Sequence, residues 1–314
     1  MSTIPMRPLG FGEVLDGAIQ LYRRDFGLYY LIALVCALPD YILLVLWNPT
    51  ELLEGMEALE ATDDPTAGLE IIGSMFGQLG YIFLVSILAL VFSWFAGLSL
   101  TVAMAKRIEE RPVSLGAAYA GGLRKVISAA GASVLALLIY LVAQAVTVFL
   151  SVFVLTGFAL VPGGAWLAVA GLIIVLIMNL VLVAFWYGAT FAIFPAVVVE
   201  GLPAMEALGR SFSLCRGGWL KVVGIMVVAM IVAYAPIVGI SALGGYWEMF
   251  QTPGEVATIS PVRQWVMNTL DLVVGPLTVP FMVGCVMMLF HDRRVRREGY
   301  DLETLASEMG AETS

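Results

Sequence analysis

Charged side chains are scarce in this 314-residue chain, at 13% of the total against about a quarter in ordinary soluble proteins. With 61% hydrophobic content and a mean hydropathy of +0.95, that scarcity excludes a soluble globular fold and leaves a membrane protein. Histidine is scarcer still. The single one, His291, stands beside Arg293 and Arg294, where it reads as an interface anchor, since a general base needs a second base or a metal partner. Cys36, Cys215 and Cys285 are the only thiols; they form neither a disulfide framework nor a C-x-x-C metal site and read as small apolar residues. The run "ALVC" ending at Cys36 has Val35 where a lipid-attachment box needs a small residue. Also missing are G-x-x-x-x-G-K-[ST], G-x-S-x-G, H-E-x-x-H and G-x-G-x-x-G, the spacings that cradle phosphate, expose a nucleophile, hold zinc or bind a dinucleotide. The expectation is therefore a non-enzyme without metal or cofactor.

Long apolar runs are what the chain has in abundance. Residues 26–47, 79–105, 126–154, 167–199, 222–243 and 265–290 each reach the ~20 residues that a helix needs to cross ~30 Å of hydrocarbon. Six spans in an all-α bundle follow. The first run starts only at Phe26 and no small-residue cleavage site closes it, so it is expected to remain as a span. Pro195 predicts a bend or exit near the end of the fourth run.

Fifteen of the sixteen Lys and Arg residues fall on one side of this map. Only Arg263 lies opposite. The positive-inside rule then places both termini in the cytoplasm, in the plasma membrane of a prokaryote. The segment from Asn48 to Leu79 carries acids and no basic residue, as an external loop should. Within it "TELLEGMEALEA" sets Leu52, Leu53, Met56 and Leu59 against Glu51, Glu54, Glu57 and Glu60, the pattern of a short amphipathic helix. The net charge of −8 thus belongs to a polarised molecule, and its basic residues suit anionic headgroups better than nucleic acid.

Three segments share one order: a proline (Pro8, Pro112, Pro203), an amphipathic stretch, a basic residue (Arg23, Arg124, Arg216), then an apolar run. In "FGEVLDGAIQLYRR" the residues Phe11, Val14, Leu15, Ala18, Ile19 and Tyr22 keep helical spacing. "RPVSLGAAYAGGLRK" has Ser114 as N-cap and Leu115, Ala118, Tyr119 and Gly122 on its inner stripe. In "LPAMEALGRSFSLCRGGWLK" the stripe is Met205, Leu208, Phe212, Cys215 and Trp219. We read a threefold repeat within one membrane domain over 1–290, with units of about 1–105, 111–199 and 203–290. Each unit is an interfacial helix on the cytoplasmic surface followed by two spans, with a basic tail over 291–314. Packing of these helices on protein instead of lipid is the competing reading.

Three blocks carry a family likeness: "RPLGFGEVLDGAIQLYRRDFG", "FPAVVVEGLPAMEALGRSFSLCRGGWLK" and the tail "LFHDRRVRREGYDLETLA". Together they resemble the bacterial and archaeal glycerophosphoryl diester phosphodiesterase membrane-domain family. Asp292, Arg294, Arg296, Glu298, Gly299, Tyr300, Asp301, Leu302 and Glu303 fit its tail, while Phe290 and His291 replace its usual tyrosine pair. The resemblance implies the membrane portion alone, because the catalytic portion of fused members needs paired histidines and metal-binding acids.

Two carboxylates fall inside spans, Asp40 in "ALPDYILL" and Asp271 in "NTLDLVVGPLTVP". An ionisable group in hydrocarbon is costly and is a functional candidate by default. Gln144, Asn179 and Asn268 are expected to line the same polar interior. Satisfying backbone freed by Pro39, Pro276 and Pro280 is the bland reading of the two acids. Ala89, Ser93, Gly97, Thr101 and Ala105 recur every fourth residue and predict close helix packing, within the bundle or between two copies. The leading expectation is a scaffold or accessory subunit. Its Arg23, Arg24, Arg124, Lys125, Arg210, Arg216, Arg293, Arg294, Arg296 and Arg297 would meet anionic lipid or a protein partner. A small-solute or lipid transporter using Asp40 and Asp271 is the competing class, and a lipid phosphodiesterase the least favoured.

Overall fold

The computed structural model describes residues 7–46, 64–159, 165–243 and 261–312, with Gly55, Ala58, Leu59, Ala61 and Thr62 between them. Most of the acidic segment read as an external helix, including Leu52, Leu53, Met56 and its glutamates, lies outside the described residues. Helix is the only regular structure among the described residues, as hydrocarbon requires of a chain that must satisfy its own backbone. The elements are α1 (Phe11–Arg24), α2 (Phe26–Leu46), α3 (Pro65–Ile108), α4 (Leu115–Ala159), α5 (Ala165–Thr190), α6 (Ile193–Val198), α7 (Ala204–Cys215), α8 (Trp219–Leu243) and α9 (Pro261–Glu312). Six of them, α2, α3, α4, α5, α8 and α9, are long and apolar enough to span a bilayer. The molecule is a multi-pass helical membrane protein.

The helices outrun their apolar cores. α3 begins at Pro65, well before the predicted start at 79, because the Asp64 carboxylate accepts the Thr66 N–H at 2.9 Å and Pro65 suits the first helical position. At 52 residues α9 runs about 78 Å, so the expected tail is a continuation of the last span and not a separate element. Pro39, Pro236, Pro276 and Pro280 sit inside helices without ending them.

The break expected at Pro195 falls a few residues earlier, between Thr190 and Ile193. A proline is tolerated in a helix's first turn, where its missing N–H would be unpaired anyway, so the chain interrupts ahead of it. Ser211 on α7 bridges the gap: its hydroxyl accepts the Ala192 N–H at 3.1 Å and donates to the Ala189 carbonyl at 2.7 Å. Ser211 is fully buried, so Ser211→Ala orphans both backbone groups. We expect a loss of about 2 kcal/mol, read as a lowered denaturation midpoint in detergent, while Ser211→Thr retains part of it.

The amphipathic segments differ from the sequence expectation in two ways. The second is no separate helix. Nothing between Leu115 and the apolar run breaks the backbone, so it forms the first turns of α4. The first and third turn much of their apolar faces to protein, not lipid: Val14, Ala18 and Leu21 of α1 and Ala207, Leu208, Leu214 and Cys215 of α7 are buried. Met205, expected on the inner stripe, is exposed, as are Phe11 and Ile19.

Each segment rests on the helical hairpin that precedes it, taken cyclically. The start of α4 packs on α3, where Ala118 joins Leu100, Ala103 and Met104. α7 packs on α4 and α5, where Ala207 and Leu208 meet Ala129, Ala132 and Ala136. α1 scarcely touches its own α2 and packs on α9 and α8, where Val14 and Ala18 meet Phe281, Cys285, Met288 and Leu289. The core is therefore three clusters at three junctions.

Candidate functional site

Two places gather chemistry. The first is a cavity of about 240 Å³ between α2, α3 and α9, toward the end of the bundle away from most basic residues. Asp40 and Tyr41 enter it from α2, Ser93 from α3, and Asn268 and Asp271 from α9. No Lys, Arg or His is among the described residues that line it. The two carboxylates that the sequence singled out thus share one space. Asn268 joins them, nine-tenths buried and without a hydrogen-bond partner among the described residues. Asp271 Oδ1 is buried and unpaired as well. Tyr41 is held by Thr269 at 3.0 Å.

The other two members of the expected polar interior lie elsewhere. Gln144 donates to Asn179 at 2.9 Å across the α4–α5 hairpin, and Asn179 donates in turn to the Val175 carbonyl at 2.9 Å. They pair with each other away from the cavity lining, and Gln144 Oε1 stays buried without a partner among the described residues. The small-residue stripe of α3 divides similarly. Gly97 lies under the Phe194 ring and its carbonyl accepts from Thr101 at 2.8 Å, which is close packing as expected. Ala89 and Ser93 line the cavity, and their small size is what leaves it open.

The second place is the basic end, where most of the cations are already committed. Asp292 is fully buried and accepts the Leu9 N–H at 2.7 Å, Lys221 Nζ at 2.8 Å and Arg296 Nε at 2.9 Å. Lys221 and Arg296 also donate to the Leu9 carbonyl, at 2.7 and 2.8 Å. Arg210 forks onto Glu200 and reaches Glu298, which Arg294 also grips at 2.9 Å. The Glu200 hydrogen bonds and charge push the Arg210 guanidinium above its ordinary range. Arg293 donates to the Leu214 carbonyl at 2.8 Å and to that of Arg216 at 3.1 Å, and Arg297 donates to that of Ser213, so both close the C-terminus of α7. Arg107 pairs with Asp25 at the α1–α2 junction.

Part of the basic set thus has a role within the fold that the sequence reading did not include. Arg210, Arg293, Arg294, Arg296 and Arg297 serve the fold first, since the tail helix needs charged clamps to lie along α7 and the N-terminal segment. Arg23, Arg24, Arg124 and Arg216 are exposed and Lys125 half-buried, with no ion pair among the described residues. Near the N-terminus Arg7 holds Glu13 at 2.5 Å, and together with the Gly10 N–H it draws that carboxyl below its usual range.

Beside this end lies a groove of about 540 Å³, opened where α7 stops and Gly217, with φ of +80°, turns the chain into α8. Phe185, Phe212 and Trp219 form its apolar wall and Arg216 and Arg297 its basic rim. Burial pushes the Cys215 thiol up, so it offers no thiolate there. The sequence marked Arg216 but not the groove, which exists only because α5, α7 and α8 meet.

Fold and site together define a polytopic helical membrane protein with a basic, clamped end and an acidic inner cavity. Residues 52–292 match the family described as a domain of unknown function, DUF7847, and the chain belongs to that family. No curated protein and no solved structure matches it. The family description assigns no reaction, and it does not name the glycerophosphoryl diester phosphodiesterase membrane domain.

Proposed function

We propose that this is a non-catalytic protein of a prokaryotic cytoplasmic membrane, both termini inside. Its basic end seats an anionic lipid headgroup as part of a scaffold or accessory role toward a protein partner or a second copy. The groove at Arg216 is the observation that supports this reading: an aromatic wall suited to an acyl chain meets a guanidinium without a carboxylate partner among the described residues. Exposed Phe11, Ile19 and Met205 on the same short helices favour contact with the bilayer surface. The resemblance to the phosphodiesterase membrane-domain family and the reading of 1–105, 111–199 and 203–290 as repeated units belong to the same proposal.

Full-length protein is to be compared in nanodiscs of phosphatidylcholine doped with phosphatidylglycerol, by native mass spectrometry of the lipids retained. Arg216→Gln is expected to weaken retention of the anionic lipid about fivefold, the equivalent of ~1 kcal/mol per basic contact. Equal retention of both lipids by the unmodified chain would sink the reading. A second reading, transport of a small solute or lipid, is favoured by the convergence of Asp40 and Asp271 on one cavity.

A further inference from the structure

We infer that the cavity between α2, α3 and α9 binds one hydrated divalent cation of the calcium or magnesium kind, held by Asp40, Asp271 and Asn268. This deepens the transport reading and is independent of the lipid groove. Two carboxylates face one space in a bundle of spans, and no basic side chain among the described lining residues balances them. Ionised carboxylates in such surroundings must be paired, metal-bound or protonated. One divalent ion balances both.

Asn268 is nine-tenths buried, lines the same cavity and bonds to nothing among the described residues, as Asp271 Oδ1 also does. A buried polar group without a partner is costly, and the Asn268 carboxamide, which lines this space, calls for a polar occupant of it. Donor type agrees. The available atoms are carboxylate, amide and hydroxyl oxygens, the set that calcium and magnesium prefer. Cys36, the one sulfur in the lining, faces the Tyr119 hydroxyl at 3.9 Å. Size agrees: about 240 Å³ corresponds to roughly eight waters at ~30 Å³ each. That is room for an ion that keeps part of its shell, so three protein groups suffice.

The test is calorimetric titration of the full-length chain in phosphatidylcholine nanodiscs with calcium chloride and, separately, magnesium chloride at pH 7. One saturable site per chain is expected for at least one of the two ions. Asp40→Asn and Asp271→Asn each weaken it by about tenfold or more, Asn268→Leu weakens it less, and Glu70→Gln, an exposed acid on α3 outside the cavity, leaves it unchanged. Circular dichroism of each variant confirms the fold; should Asp271→Asn fail to fold, Asp40→Asn and Asn268→Leu carry the comparison. Absence of a saturable site overturns the inference, as does one that survives the double Asp40→Asn/Asp271→Asn variant or one that sodium chloride competes away as effectively as magnesium. Because lipid retention through Arg216 is read separately, in nanodiscs doped with phosphatidylglycerol, failure here leaves that reading standing or falling alone.

Discussion

Asp292→Ala is expected to cost the folded protein about 3 kcal/mol. Removing one partner of a buried ion pair leaves the other charges without compensation, at about 3–5 kcal/mol when nothing relaxes. Here Lys221 is 24% exposed and Arg296 is 39% exposed at their side chains, so both reach water and the lower end applies. The Leu9 N–H is a further loss, since its only acceptor among the described residues is Asp292 Oδ1 at 2.7 Å. Leu9 is itself 2% exposed and sits in the cluster beneath α1. Its release should therefore loosen α1 as well as the tail. Chemical denaturation in detergent measures the stability loss, and limited proteolysis should show cleavage near Leu9 long before global unfolding. An unchanged midpoint with intact protection would mean that the clamp is ornamental.

Gly122→Leu is the second large effect, with an expected cost of about 3 kcal/mol. A Cβ built at Gly122 would lie 2.7 Å from Ser99 Oγ and 3.4 Å from Ser99 Cα. The hydroxyl can rotate away, but the backbone of α3 cannot, so a branched side chain must separate α3 from α4. Overpacking of this kind costs about 1–3 kcal/mol, and the shift of helix axes adds loss of the Ala118 contacts nearby. Against it stands a gain of up to about 1 kcal/mol from replacing glycine inside a helix. Gly77→Ala isolates that gain, because nothing lies within 4 Å of a Cβ there. The pair should therefore move in opposite directions in thermal unfolding followed by circular dichroism.

The span map was largely legible because hydrocarbon leaves the chain few choices. The second and sixth spans, α3 and α9, ran past their apolar limits through information that hydropathy windows do not weigh, the Asp64 cap and the helix-compatible tail. The convergence of Asp40 and Asp271 could be guessed from their matched depth, and Asn268 lies one turn from Asp271. Gln144 and Asn179 showed the same polarity but paired privately, which no spacing rule reveals. The clamping role of the tail arginines was hidden for a related reason. A run of cations beside a membrane reads as lipid-facing, yet Asp292 and Glu298 within the tail and the open carbonyls of α7, up to 84 residues away in sequence, hold them. Arg293 and Leu214, for example, are separated by 79 residues.

The seating of α1 on the last hairpin has a consequence for biogenesis. α1 leaves the ribosome long before α8 and α9, on which its apolar face packs, so it must wait at the membrane, half-covered, until they are made. Contacts between distant parts of a chain are slow to form and leave sticky surface on view meanwhile. A nascent chain stalled before residue 281 would keep that surface bare, a ready handle for the chaperones that decide whether an unfinished membrane protein is kept or destroyed.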